Sequence, residues 1–208
     1  MFSRSFAAMG IAAFLAVAPG TAVGSEVRSC IVEGVEGGSA RYWQDGIWSD
    51  LRVSLALSPE AKISTGQETR VKIVCDDRIV VTIGAATEVN LEQLAGSAGP
   101  HTNVILQLIE GIVGIVAPKR TWRRFDVRTP VAIASVRSTE WLVEHDSAGG
   151  AAVFVRAGEV AVRVRDGRRF VLSRGEGISI SAAGAAGEIK VWGAGRIAKS
   201  TEALGFGW

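Results

Sequence analysis

The chain has 208 residues, 48% of them hydrophobic, and its 23 Lys and Arg nearly balance 21 Asp and Glu for a formal charge of +2. That composition is too apolar for a disordered chain, and 25 glycines with only 5 prolines, lacking a three-residue period, exclude collagen. The small basic excess gives no support to nucleic-acid binding, and the length suits one domain with tails.

Residues 1–24 read as a secretory signal peptide: Arg4 supplies the charge, Phe6 to Ala18 is apolar, and Ala22 and Gly24 suit small-residue cleavage. The alternative is an uncleaved membrane anchor, against which Pro19 and Gly20 break the run. Cleavage would leave a chain starting near Ser25, with no cysteine there to carry a lipid and no second apolar run long enough to span a membrane. A soluble periplasmic protein is the expectation. Export makes Cys30 and Cys75 candidates for a disulfide, contributing about 4 kcal/mol for a loop of that length. The alternative is two buried thiols. With His101 and His145 the cysteines make no metal-ligand spacing, and no cofactor is expected.

From Val27 to Glu36 the pattern is a short strand closed by Gly37 and Gly38. Tyr42, Trp43 and Trp48 then surround an Asp45-Gly46 turn signal, which reads as an exposed hairpin. Ile63 to Gly66 reads as a turn. Val71, Ile73 and Cys75 alternate up to Asp76-Asp77, and Ile79, Val81 and Ile83 resume, which predicts a second hairpin with the paired carboxylates in its turn. Thr87 to Leu94 alternates again before a loop at 95–102.

Residues 125–146 have the least freedom. Val127, Val131, Ile133 and Val136, with Ala132, Ala134 and Ser135 between them, predict a strand covered on both faces. Pro130 should mark its start, a bulge or an edge. Arg128 and Arg137 are expected to tie strand ends together, since a buried arginine must be paired.

A repeat frames this stretch. Leu106-x-Leu108-x-x-Gly111-x-Val113-x-Ile115 returns 47 positions later as Val153-x-Val155-x-x-Gly158-x-Val160-x-Val162. Arg123-Arg124-Phe125-x-Val127 returns after 45 as Arg168-Arg169-Phe170-x-Leu172. Each unit reads as strand, glycine turn, strand, basic turn, return strand. The fold class is therefore all-β: stacked antiparallel sheets, as a sandwich or short solenoid-like roll, with two internal β repeats in a domain over 25–180. Residues 181–208 turn rich in Gly and Ala. Ile189 to Trp192 is expected to add one strand, with a flexible end past Gly193. Helical period is confined to Leu91–Leu94 and Ala198–Leu204.

Val127-Arg128-Thr129-Pro130, then Ala132 and Ala134, then Val136-Arg137-Ser138-Thr139 and Trp141, resemble the signature of the FecR domain family: Val-x-Thr-Pro, an Ala-rich continuation, Val-Arg-Gly-Thr and an aromatic. Val153 to Val160 resembles the family's Val-x-Gly-x-Val hairpin, Leu172 to Gly177 its Leu-x-x-Gly-Glu turn, and Ile63 to Arg70 its Thr-Gly-x-x-Ser-Arg. Ser138 replaces the usual glycine and Trp141 the commoner phenylalanine. The resemblance implies a periplasmic all-β module. In its best-known members that module couples an outer-membrane iron-siderophore transporter to a cytoplasmic sigma factor, through a membrane-spanning helix and an anti-sigma segment. Neither segment is read here, so the domain is expected to transfer and the full regulator role is not.

No chemistry-bearing constellation stands out. Gly-x-Ser-x-Gly and phosphate-loop patterns are absent, and Glu144, His145 and Asp146 are strand neighbours that point to alternate faces. The chain is read as a non-enzymatic binding or scaffolding module of the cell envelope, with a role in envelope signalling. Its expected partner is an envelope protein, or alternatively a carbohydrate or peptidoglycan component of the cell wall. Two surfaces could meet it: the basic cluster Lys119, Arg120, Arg123 and Arg124 with Trp122 interleaved, and the aromatic loop with Tyr42, Trp43 and Trp48. The plainer alternatives are a solvated turn for the first and loop packing for the second.

Overall fold

The computed structural model describes residues 27–28, 30–58, 60–75, 79–92, 96–97, 103–117, 124–136 and 139–208. In chain order the strands are β1 (Val27–Arg28), β2 (Cys30–Glu36), β3 (Ala40–Gln44), β4 (Ile47–Asp50), β5 (Ala56–Leu57), β6 (Lys62–Thr65), β7 (Arg70–Cys75), β8 (Ile79–Ile83), β9 (Glu88–Asn90) and β10 (Gly96–Ser97). There follow β11 (Asn103–Ala117), β12 (Arg124–Arg128), β13 (Ala132–Val136), β14 (Thr139–His145), β15 (Ala151–Ala157), β16 (Glu159–Val164), β17 (Arg169–Ser173), β18 (Glu176–Ile180) and β19 (Lys190–Val191). One helix among the described residues, α1 (Ala194–Leu204), comes last.

The pairings resolve into two sheets, apart from a small β1–β10 ribbon. The front sheet runs β4-β3-β6-β9-β11-β12-β13-β16-β17. The back sheet runs β5-β2-β7-β8-β11-β14-β15-β18-β19. All these pairs are antiparallel except β11–β12. β11 belongs to both sheets, so the layers form one continuous β system. The chain crosses between layers repeatedly, and period-two alternation does the rest: in β7 Val71, Ile73 and Cys75 turn inward while Arg70, Lys72 and Val74 do not. Between the layers Phe125 of β12 meets Trp141 of β14 edge to face at 5.3 Å, both fully buried.

Gly111 shows why the repeat exists. Its φ is +99°, and a Cβ there would collide with Thr87, so only glycine lets β11 leave the front sheet and enter the back one. Gly158, with φ +89°, marks the passage from β15 in the back sheet to β16 in the front. The expected glycine turn is thus a corner between layers. β15 and β16 are not partners in a ladder, so the expected Val-x-Gly-x-Val hairpin does not form. The basic segments are not equivalent either: β16 and β17 form a hairpin, whereas β12 lands parallel beside the first half of β11.

Three more expectations change. Residues 125–146 are not one strand, because Thr129 and Pro130 form the turn of the β12–β13 hairpin. Proline lacks an N–H and tolerates such a turn, while Thr129 Oγ1 accepts from Ala132 N at 3.0 Å. β13 then alternates, with Ile133 and Ser135 half-buried rather than covered on both faces. Ile63–Gly66 is mostly strand, the turn following at Gly66 to Thr69. Past Gly193 the chain is no flexible end: it folds into α1 and packs onto the back sheet, where Leu204 is fully buried.

Candidate binding surfaces

The outer face of the back sheet is occupied by the chain's own C-terminus. A single cross-strand row there reads Gly34, Lys72, Thr82, Gly114, Leu142, Phe154 and Gly177. Phe206 lies on Gly34, Trp208 on Gly114, and Trp192 over Gly177, stacked on Phe154 at 4.8 Å. Leu204 fills the space between Ile112, Leu142 and Phe154. Each glycine leaves room for an aromatic ring that a Cβ would expel. Polar contacts hold the segment down: Arg70 Nε donates to Ala203 O at 3.1 Å, Ser200 Oγ donates to Glu144 Oε1 at 2.7 Å, and Arg196 pairs with Glu144.

The front sheet presents a different row. Following the registers across it gives Trp48, Trp43, Lys62, Asn90, Gln107, Arg128, Ile133, Arg163 and Arg169. None of these side chains is buried. At one end Trp43 and Trp48 are direct cross-strand partners, on a hairpin whose Asp45 and Gly46 both have positive φ, as a two-residue turn requires. Arg41 lies 5.6 Å from the Trp48 ring and Lys62 lies 5.0 Å from the Trp43 ring. A depression of about 490 Å³ beside them is lined by Arg41, Trp48 and Asp50. At the other end the Thr129-Pro130 turn, Ile133, Arg163 and Arg165 line a depression of about 270 Å³. Arg165 Nη2 donates to Pro130 O at 3.2 Å.

The residues singled out from sequence divide accordingly. Trp43 and Trp48 share the outer face, while Tyr42, one position away, packs against the core. Lys119, Arg120, Trp122, Arg123 and the side chain of Arg124 lie outside the described residues, as does Arg137. Val127, Val136, Thr139 and Trp141 are core residues. Cys30 and Cys75 are direct partners in the β2–β7 pair and are joined by a disulfide. Glu144 and His145 diverge: Glu144 holds α1, and the buried His145 Nδ1 is 2.6 Å from Ile109 O. Asp146 Oδ1 accepts from Gly150 N in a turn. Among the described residues no three His, Cys, Asp or Glu side chains are grouped to hold a metal ion. No helix among them is long and apolar enough to cross a membrane, which says nothing of strands. Lys62, Gln107, Arg128, Arg163 and Arg169 drew no attention as a group in the sequence, because only register aligns them.

A two-layer β module with one outer face covered by its own C-terminal segment and a row of unburied side chains on the other is the class of protein that this arrangement defines. Residues 61–186 match the model of the FecR protein family, and the chain belongs to that family. Its fold is similar to that of a candidate anti-sigma factor from Parabacteroides distasonis ATCC 8503, seen in two crystal structures. The chain is 21% identical to each, with TM-scores of 0.56 and 0.54, over 66% of this chain and 62% of that one. The chain thus matches less than two thirds of that protein's length. No curated protein matches the sequence.

Proposed function

We propose that the chain is exported through residues 1–24 to the periplasm and acts there as a non-enzymatic binding module in envelope signalling, with the outer face of the front sheet as its working surface. The contrast between the faces carries this reading: the back sheet has its apolar row filled by residues 192–208, whereas the front row ends in two tryptophans, Trp48 being 37% exposed. Aromatic and arginine side chains dominate binding energy where surfaces are desolvated. The paired Trp43 and Trp48 also favour a second reading, a cell-wall carbohydrate as the component bound.

The test is capture from envelope extract on the immobilised protein, alongside sedimentation with purified cell-wall material. Trp43→Ala/Trp48→Ala and Arg163→Ala/Arg169→Ala should each remove the captured component while leaving the melting temperature unchanged. Capture that survives both double substitutions would sink the assignment of this face. Sedimentation with cell-wall material and no protein captured would decide for the second reading.

A further inference from the structure

We infer that the front-sheet row is a track for one extended acidic glycan chain, an inference that rests on this face being the working surface. The charges point that way. Lys62, Arg128, Arg163 and Arg169 share one row with no acidic side chain in it. Strands about 4.8 Å apart make the row roughly 40 Å long, so its cations are sparse along a line. Duplex DNA carries one charge per roughly 1.7 Å and would leave most phosphates unmatched. A glycan bearing one carboxylate per sugar, or per few sugars, fits the spacing better.

The neighbouring rows set the width. On one side lie Asp50, Arg41, Ser64, Glu88 and Glu110, and on the other Asp126 and Ser135. A protein face covers about 800 Å² per partner, several rows at once, so an acidic one would meet Asp50 and Glu88 as well as the cations. A chain one sugar wide follows the cations, with Asp126 Oδ2, 4.0 Å from Arg128 Nη2, as an acidic neighbour.

The uncharged members of the row suit sugars too. Asn90 and Gln107 each offer a donor and an acceptor for hydroxyls, between Lys62 and Arg128. Trp43 and Trp48 present flat π faces on which the C–H face of a pyranose ring packs. The Arg128 side chain is partly exposed, and its Nη2 stands 4.0 Å from Asp126 Oδ2. The Arg163 and Arg169 side chains are exposed and make no hydrogen bond or ion pair among the described residues, which leaves both guanidinium forks for carboxylates.

Titration calorimetry of the purified protein at low salt would test this, with oligogalacturonates and alginate oligosaccharides of increasing length, neutral cello-oligosaccharides and polyphosphate as probes. Affinity for at least one acidic glycan should rise with its length and exceed that for the neutral chain at least tenfold. Arg163→Ala/Arg169→Ala and Trp43→Ala/Trp48→Ala should each weaken it at least tenfold with melting unchanged. The inference is overturned if neither acidic glycan binds, if neutral chains bind equally, or if polyphosphate binds more tightly than either and ignores the tryptophan pair. Should glycan binding fail while the same substitutions still abolish envelope capture, the ligand class falls and the working face stands. If capture is also indifferent to them, both fall.

Discussion

On the back sheet, Gly34, Gly114 and Gly177 stand in the central cross-strand row, where the front sheet carries Trp43, Lys62 and Arg163. The two rows are alike in geometry and opposite in solvation. Glycine weakens a strand and bares its backbone, so a glycine row is stable only when something covers it, here rings from residues 192–208. Long polar and amphipathic side chains shield a sheet by their own stems and keep their heads in water. The first face is therefore part of the fold, whereas the second keeps an unburied row beside the buried Ile105 and Asp126.

Substitutions on the two sides should separate along that line. The largest effect belongs to the bridge beneath the covered sheet: Cys30→Ser/Cys75→Ser should cost about 4 kcal/mol in urea unfolding, the value for a loop of this length. Leu204→Ala should cost about 3 kcal/mol, since the side chain is fully buried between α1 and the sheet. Gly114→Val should cost about 2 kcal/mol and raise the tryptophan emission wavelength by expelling Trp208. By contrast Trp43→Ala/Trp48→Ala on the bare face should change stability by less than about 1 kcal/mol; a larger loss would mean that this face, too, is structural.

The smallest effect concerns pH. The N–H of Arg168, followed by its guanidinium, holds the Asp166 carboxyl below its usual range in the β16–β17 turn. A folded-state value below the unfolded one stabilises above the unfolded value and is lost as pH falls through the folded one. Asp166→Asn should therefore be slightly less stable than the native chain at neutral pH, with the difference vanishing in strong acid. Because the group is fully exposed, salt should shrink it further.

Much of the fold was legible from local pattern. The β3–β4 hairpin follows from Asp45-Gly46, the β7–β8 hairpin from alternation broken at Asp76, and the paired glycines at 111 and 158 from the repeat. What they do was not legible. A positive-φ glycine serves a hairpin turn or a corner equally well, and only the partner strands decide. The helical period over Ala198–Leu204 was legible, but the docking of the C-terminal helix on the sheet was not, for a related reason. Small residues around 181–195 and a short apolar pattern carry little propensity, and the helix exists because Leu204, Trp192 and Trp208 find glycine-lined space on a sheet built much earlier in the chain.

Taken alone, the sequence determined the β class, the internal repeat, the pairing-competent cysteines and the Val-x-Thr-Pro signature of the family, because each is written in neighbours or fixed spacing. Tertiary structure alone decided which face is covered and which side chains stand in one row. Trp48 and Arg169 are 121 positions apart in the chain, and only the successive registers of the front sheet bring them into one line. Register is a property of paired strands, set by which residues the core accepts, and no single strand contains it.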